Sequence, residues 1–177
     1  VALLRKSIEA SLAAYTRAQE VIAPGVNELD VMTEAQHAAI RAAGEIVYHG
    51  GSYRCGVKGG QARNRKIEAG ELYVIDAQTT YRGYWSDLSR TFVVGGEPTN
   101  LQSSIYTHLA DILTDIPNLI SPGGRGTELW RTVDARLREH PQLRETGLIH
   151  HAGHGVGVRV HEAPDLNRDR EAVLAAG

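Results

Sequence analysis

Two aspartates occupy positions where an unpaired carboxylate is costly. Val74-Ile75-Asp76 sets one in an otherwise apolar, strand-forming run, and Asp87 sits in the run that follows. A charge buried in such a place without a partner costs several kcal/mol. The segments Glu71 to Tyr81 and Tyr84 to Val94 are rich in β-branched and aromatic residues and are separated by Arg82-Gly83, which predicts a hairpin. With a two- or four-residue loop centred on Arg82-Gly83, Asp76 opposes Ser89 and Asp87 opposes Gln78. Both carboxylates then share one face as diagonal neighbours. Two carboxylates forced together repel, and a cation between them is the common remedy. The alternative is that Asp76 pairs with Arg90 or caps a turn. A one-residue change in the loop would place the aspartates on opposite faces.

A second concentration of chemistry runs from His150-His151-Ala152-Gly153-His154-Gly155-Val156-Gly157 to His161-Glu162-Ala163-Pro164, with four of the eight histidines in the chain. The interleaved glycines permit close backbone approach and exclude a regular helix. His154 and His161 are seven residues apart, so an unbroken strand would face them oppositely and only a bend or bulge would bring both to one site. A lone histidine here would read as a satisfied core residue. A cluster points further, because neutral imidazole is the commonest metal ligand and also a titrating acid or base.

The elements that must position these groups follow from periodicity and punctuation. Leu3, Ile8, Leu12, Tyr15 and Ile22 recur at helical spacing up to Pro24-Gly25, giving a first amphipathic helix. Asn27 is placed to cap a second, with Glu28 and Asp30 in its first turn and Gly44 closing it. Ile46 to Tyr48 is a short strand candidate, and the glycines at 50, 51, 56, 59 and 60 predict a loop with broken extended pieces. A third helix is expected over about Leu101 to Leu119, and a fourth capped by Thr127 with Leu129, Val133 and Leu137 on one face. Gly153 to Val160 reads as a strand segment.

The two halves resemble copies. Ile22-Ala23-Pro24-Gly25 matches Ile120-Ser121-Pro122-Gly123, Glu28-Leu29 matches Glu128-Leu129, and Gly44 with Ile46-Val47 and His49 matches Gly147 with Leu148-Ile149 and His151. Ile67-Glu68-Ala69-Gly70, which precedes the hairpin, matches Leu174-Ala175-Ala176-Gly177. Four matches in the same order at a slowly drifting offset favour a duplication, with the second copy stopping where its hairpin would begin.

Composition bounds the rest. The 177 residues are 42% hydrophobic and 23% charged, an ordinary globular balance for which one folded domain is expected. A net charge of −2 leaves no basic field for nucleic acid or anionic lipid. No apolar run approaches a membrane span. Cys55 is the only cysteine, so no internal disulfide forms, which fits a reducing, cytoplasmic setting.

Taken together, Val74-Ile75-Asp76-Ala77, Tyr84-Trp85-Ser86-Asp87-Leu88-Ser89-Arg90-Thr91-Phe92, Gly153-His154-Gly155-Val156-Gly157 and His161-Glu162-Ala163-Pro164 resemble the motifs of the pita-bread metallopeptidases. That family includes methionine aminopeptidase, Xaa-Pro aminopeptidase and Xaa-Pro dipeptidase. The spacing of eleven between the aspartates and seven between the histidines agrees with it. The Asp-Leu-Ser-Arg-Thr-Phe and Val-His-Glu-Ala-Pro wording is more similar to the Xaa-Pro branch. The resemblance implies an α+β pita-bread (creatinase/aminopeptidase) fold with a pseudo-twofold duplication, residues 1–177 forming a catalytic domain truncated before its second hairpin. It implies two divalent ions, drawn from manganese, cobalt, iron and zinc, with Asp76 binding one, Asp87 bridging both and His154 on the second. His161 would position the peptide substrate and steady the tetrahedral intermediate. Two further glutamate ligands are expected beyond Gly177, so the chain by itself is expected to bind metal poorly and lack activity. Relatives in the Xaa-Pro branch carry a separate N-terminal domain and often dimerise, which admits a homodimer. One departure stands out: active members of that branch usually carry a histidine at the place held here by Lys58 and Gly59. Either His49 replaces it through a rearranged glycine loop, or the protein works without it, or activity is lost. The rival functions are accordingly an inactive module binding peptides or proteins, and a metal-free amidinohydrolase like creatinase.

Overall fold

A computed structural model describes residues 1–176. Gly177, the last residue of the final repeat match, lies outside the described residues. The chain divides into two compact units, Val1–Glu97 with Val156–Val160, and Pro98–Gly155 with the chain from His161 onward.

In the first unit, helices α1 (Ala2–Val21) and α2 (Glu28–Ala43) lie on a three-stranded antiparallel sheet in the order β1 (His49–Cys55), β2 (Leu72–Tyr81), β3 (Tyr84–Val93). The contact faces are stripes at four-residue spacing, Ala10, Ala14 and Ala18 on α1, and Val31, Ala35, Ala39 and Ala43 on α2, all buried. Small side chains let the helix backbones approach one another and the sheet, which contributes Tyr53, Tyr73, Ile75 and Ala77 to the same core. Asn27 caps α2 by accepting from the Leu29 N–H at 3.0 Å, and Gly44 ends it in the left-handed conformation at φ 75°. The hairpin turn is Arg82-Gly83, at φ 49° and 84°, the two positive values that a type I′ turn requires.

The second unit contains α3 (Asn100–Leu119), α4 (Gly126–Glu139), a short 3-10 turn at Pro141–Leu143, and the strand pair β4 (His154–Gly155) and β5 (Glu162–Asp165). Its core is Ile112, Leu129, Val133, Leu137 and Leu166. Thr99 opens α3 with a capping box, its hydroxyl accepting from Gln102 N–H while the Gln102 side chain accepts from Thr99 N–H.

The duplication is present in the backbone hydrogen bonds of each unit. Gly25 donates to Ile67 O at 2.8 Å, Ile67 to Val26 O at 2.8 Å and Glu28 to Arg65 O at 3.0 Å. Correspondingly, Gly123 donates to Leu174 O at 2.8 Å, Leu174 to Gly124 O at 2.9 Å and Gly126 to Ala172 O at 2.7 Å. This ladder makes Gly126 the counterpart of Glu28, so the Glu28 to Glu128 match is two residues out of register. The same shift corrects the cap: α4 begins after Arg125, not Thr127. Thr127 lies inside the first turn, where its hydroxyl donates to Glu171 Oε2 at 3.0 Å, the oxygen that also receives Arg125 at 2.6 Å.

Two strand expectations also change. Ile46 to Tyr48 is irregular, and β1 instead runs through the glycines from His49 to Cys55. The glycine is needed there for close approach: Gly51 has φ 109°, and a Cβ on it would strike the Asp76 carbonyl oxygen of the paired strand. The expected strand from Gly153 to Val160 stops at Gly155, and the chain turns back into β5.

Candidate metal centre

The β2–β3 register pairs Asp76 with Ser89 and Gln78 with Asp87, as the two-residue turn dictates. Tyr73, Ile75, Ala77 and Thr79 face the helices and are buried, while Val74, Asp76, Gln78 and Thr80 alternate with them on the other, half-buried face. Asp87 shares that face through its pairing with Gln78, so the carboxylates are diagonal neighbours. Arg90 stands opposite Ile75, on the other side of the pleat, and donates to Ser89 O at 2.6 Å. The register therefore does not favour the Asp76–Arg90 alternative.

The face is held in place by polar contacts on either side of the sheet. Glu28, fully buried at the start of α2, accepts from Cys55 N–H at 3.1 Å and Arg63 N–H at 2.9 Å, and its carboxylate pairs with the Arg63 guanidinium at 2.6 Å. Burial would raise the Glu28 pKa, but the hydrogen bonds from Arg63 and Cys55 outweigh it and hold the group below the usual carboxylate range. This contact ties the end of β1 and the following glycine loop to α2. Under the sheet, His49 Nδ1 bonds Thr79 Oγ1 at 2.7 Å and His49 Nε2 bonds the Tyr53 hydroxyl at 2.6 Å. Thr79 also contacts Ser11 Oγ at 2.7 Å, and Ser11 contacts Ser86 Oγ at 2.9 Å. Burial lowers the His49 pKa to about 4, so the ring is neutral.

His49 pairs with Thr79 in the sheet register and so points to the helix side, away from the face of Asp76. It does not replace the histidine expected near residue 58. Gly59, by contrast, lies over the aspartate face: a Cβ on it would come within 2.8 Å of Ser52 Oγ, and Ser52 pairs with Asp76.

In the second unit the chain reverses between His154 and His161, as the glycine spacing anticipates. β4 and β5 pair antiparallel with a register irregularity at His154/Gly155. A Cβ on Gly155 would strike the Ala163 carbonyl oxygen, which explains the glycine. The His154 and His161 ring centroids are 4.0 Å apart. His154 Nδ1 lies 2.9 Å from Gly155 O, which can only accept, so Nδ1 carries a proton and Nε2 is the nitrogen not committed to that bond. The residue that the sequence left without a role is His151. Its ring nitrogens are buried with no hydrogen-bond partner, and it lies 4.9 Å from His154 and 5.5 Å from His161 between ring centroids. Burial lowers its pKa first, then the neighbouring His150 and His154, with Asp165 acting in the opposite sense. The doublet His150-His151 was the available signal, but nothing in its spacing separated the two rings.

The sequence profile of metallopeptidase family M24 matches residues 2–177. The chain belongs to that family. It is 31% identical over 186 residues to the Xaa-Pro dipeptidase of Pyrococcus furiosus, covering 100% of this chain and 51% of that protein. An uncharacterized peptidase of Bacillus subtilis, YqhT, is 34% identical over 153 residues, covering 85% and 41%. The solved prolidase of Pyrococcus furiosus superposes with a TM-score of 0.80 at 30% identity, covering 99% of this chain and 52% of that one. Methionine aminopeptidase of Thermotoga maritima, at TM-score 0.76 and 20% identity, shares the fold. The M24 chain thus has the α+β pita-bread architecture and spans about half the length of the curated relatives it matches. Among its described residues no helix is long and apolar enough to cross a membrane.

Proposed function

We propose that this chain is the catalytic part of a dinuclear metal-dependent exopeptidase of the Xaa-Pro dipeptidase or aminopeptidase type, hydrolysing the N-terminal residue of peptides. The observation that carries this reading is the hairpin register, which puts Asp76 and Asp87 on one half-buried face of an M24 chain. The donor set fits divalent cations: two carboxylates, and an imidazole whose Nδ1–H already donates so that Nε2 is the ligating atom. Asp76 would hold one ion, Asp87 both and His154 the second. When bound, such a pair lowers the pKa of a shared water and polarises the scissile carbonyl. The chain's own residues do the rest of the work. Asp76 and Asp87 supply negative charge on a rigid strand pair, and a His161 ring N–H donates to the carbonyl oxygen as charge develops there, orienting the peptide.

A second reading, an inactive module that binds peptides, is favoured by one observation: glycine occupies the aspartate side of the sheet where the branch's histidine is expected, and His49 faces the other way. Hydrolysis of Xaa-Pro peptides by the complete protein, supplied with manganese or cobalt, distinguishes the two. Release of the N-terminal residue, abolished by chelation and by Asp87→Asn, is expected. Peptide binding without turnover would establish the second reading instead.

A further inference from the structure

The turn between β4 and β5 gathers three imidazoles, and only two of them have a role in the peptidase reading. One nitrogen from each of His151, His154 and His161 lies within 4.8 Å of the others. The rings meet edge to face, at interplanar angles of 90°, 76° and 62° for the three pairs, so none stacks on another. His154 presents Nε2, because Nδ1 is committed to Gly155 O. His151 has both nitrogens buried and without a hydrogen-bond partner, a desolvation cost with nothing set against it. His161 is exposed, which gives an ion a route in.

We propose that His151, His154 and His161 form a mononuclear zinc site that needs no carboxylate. In a tetrahedral zinc site with Zn–N of about 2.0–2.1 Å, ligand nitrogens stand about 3.4 Å apart, so the trio closes by side-chain rotation within a short turn. Ligation satisfies His151, the one ring of the three with no other bond to lose. An all-imidazole set selects late first-row ions such as zinc and copper and holds manganese weakly, unlike the carboxylate-rich centre proposed for catalysis. One consequence rests on the peptidase reading: zinc in the trio takes His154 from the catalytic pair and His161 from the substrate, so the two states exclude one another and excess zinc inhibits. The site itself does not depend on that reading.

Calorimetric titration of the 177-residue chain with zinc tests the proposal. One zinc per chain is expected, unchanged in the Asp76→Asn/Asp87→Asn double variant, weakened roughly tenfold or more in His151→Ala, and with no comparable binding of manganese. Unaltered affinity in His151→Ala, or loss of zinc in the double asparagine variant, would overturn it. A paramagnetic readout on the unsubstituted chain avoids dependence on variant folding. Copper at one equivalent should show coupling to three imidazole nitrogens by electron paramagnetic resonance, and coupling to a single nitrogen would contradict the trio. Absence of peptidase activity would defeat the functional reading and leave these binding results standing.

Discussion

His49 makes the stability of the first unit depend on pH in a defined direction. The ring is 3% exposed, bonds Thr79 and Tyr53 through its two nitrogens, and has a pKa lowered by burial from 6.5 to about 4. Above pH 6.5 the imidazole is neutral in both folded and unfolded chains, and the full stability is present. As the pH falls from 6.5 toward 4 the unfolded chain takes up a proton that the folded one refuses, so stability declines. Below about 4 both states are protonated and the decline ends. The interval, at about 1.4 kcal/mol per pH unit, amounts to about 3 kcal/mol. The assay is urea denaturation between pH 7 and pH 4, followed by Trp85 fluorescence in a Trp130→Phe background, comparing His49 with His49→Gln. The variant shares every other titrating group, so the difference between the two curves isolates this ring. The unsubstituted protein should lose about 3 kcal/mol more than the variant over that range. Parallel pH dependences would refute the reasoning and mean that the ring takes up its proton in the fold as readily as in the unfolded chain.

Other consequences are equally direct. Gly51→Ala, at φ 109° and against the Asp76 carbonyl, should destabilise by roughly 1–3 kcal/mol or more in chemical denaturation, and an unchanged midpoint would contradict the close approach of β1 to β2. Glu28→Ala removes the acceptor for Cys55 and Arg63; because Arg63 retains access to water, the expected loss is about 2–4 kcal/mol, read by the same method, with rapid hydrogen exchange at Cys55 N–H. Glu171→Gln should weaken the ties to Arg125 and Thr127 and shift the denaturation midpoint less than Glu28→Ala does, since that pair is largely solvated.

Much of this arrangement was legible because the residues that carry it have only one conformational use. Arg82-Gly83 between two strand-forming runs permits a two-residue turn, and that turn fixes the face of every residue in the hairpin, Asp76 and Asp87 included. The repeat was visible in Pro24-Gly25 and Pro122-Gly123, which end helices in both units. What escaped did so for physical reasons. The glycines of β1 read as loop residues, yet they serve a strand whose neighbour passes too close for a Cβ. Thr127 has a good capping side chain, but the backbone ladder from Gly123 to Gly126 starts the helix earlier. The side of the sheet on which His49 lies depends on the β1–β2 register, which no short turn announces. His151 carries no signal of its own until the β4–β5 turn folds it against His154 and His161.

The central claim, that Asp76 and Asp87 are the protein ligands around which a metal pair is built, is tested most directly by anomalous diffraction from crystals of the complete protein grown with manganese. Two anomalous peaks are predicted beside the β2–β3 hairpin, with Asp87 contacting both ions, Asp76 one and His154 the other. No peak within ligating distance of Asp76 and Asp87, in a crystal where manganese is bound elsewhere, would contradict the account.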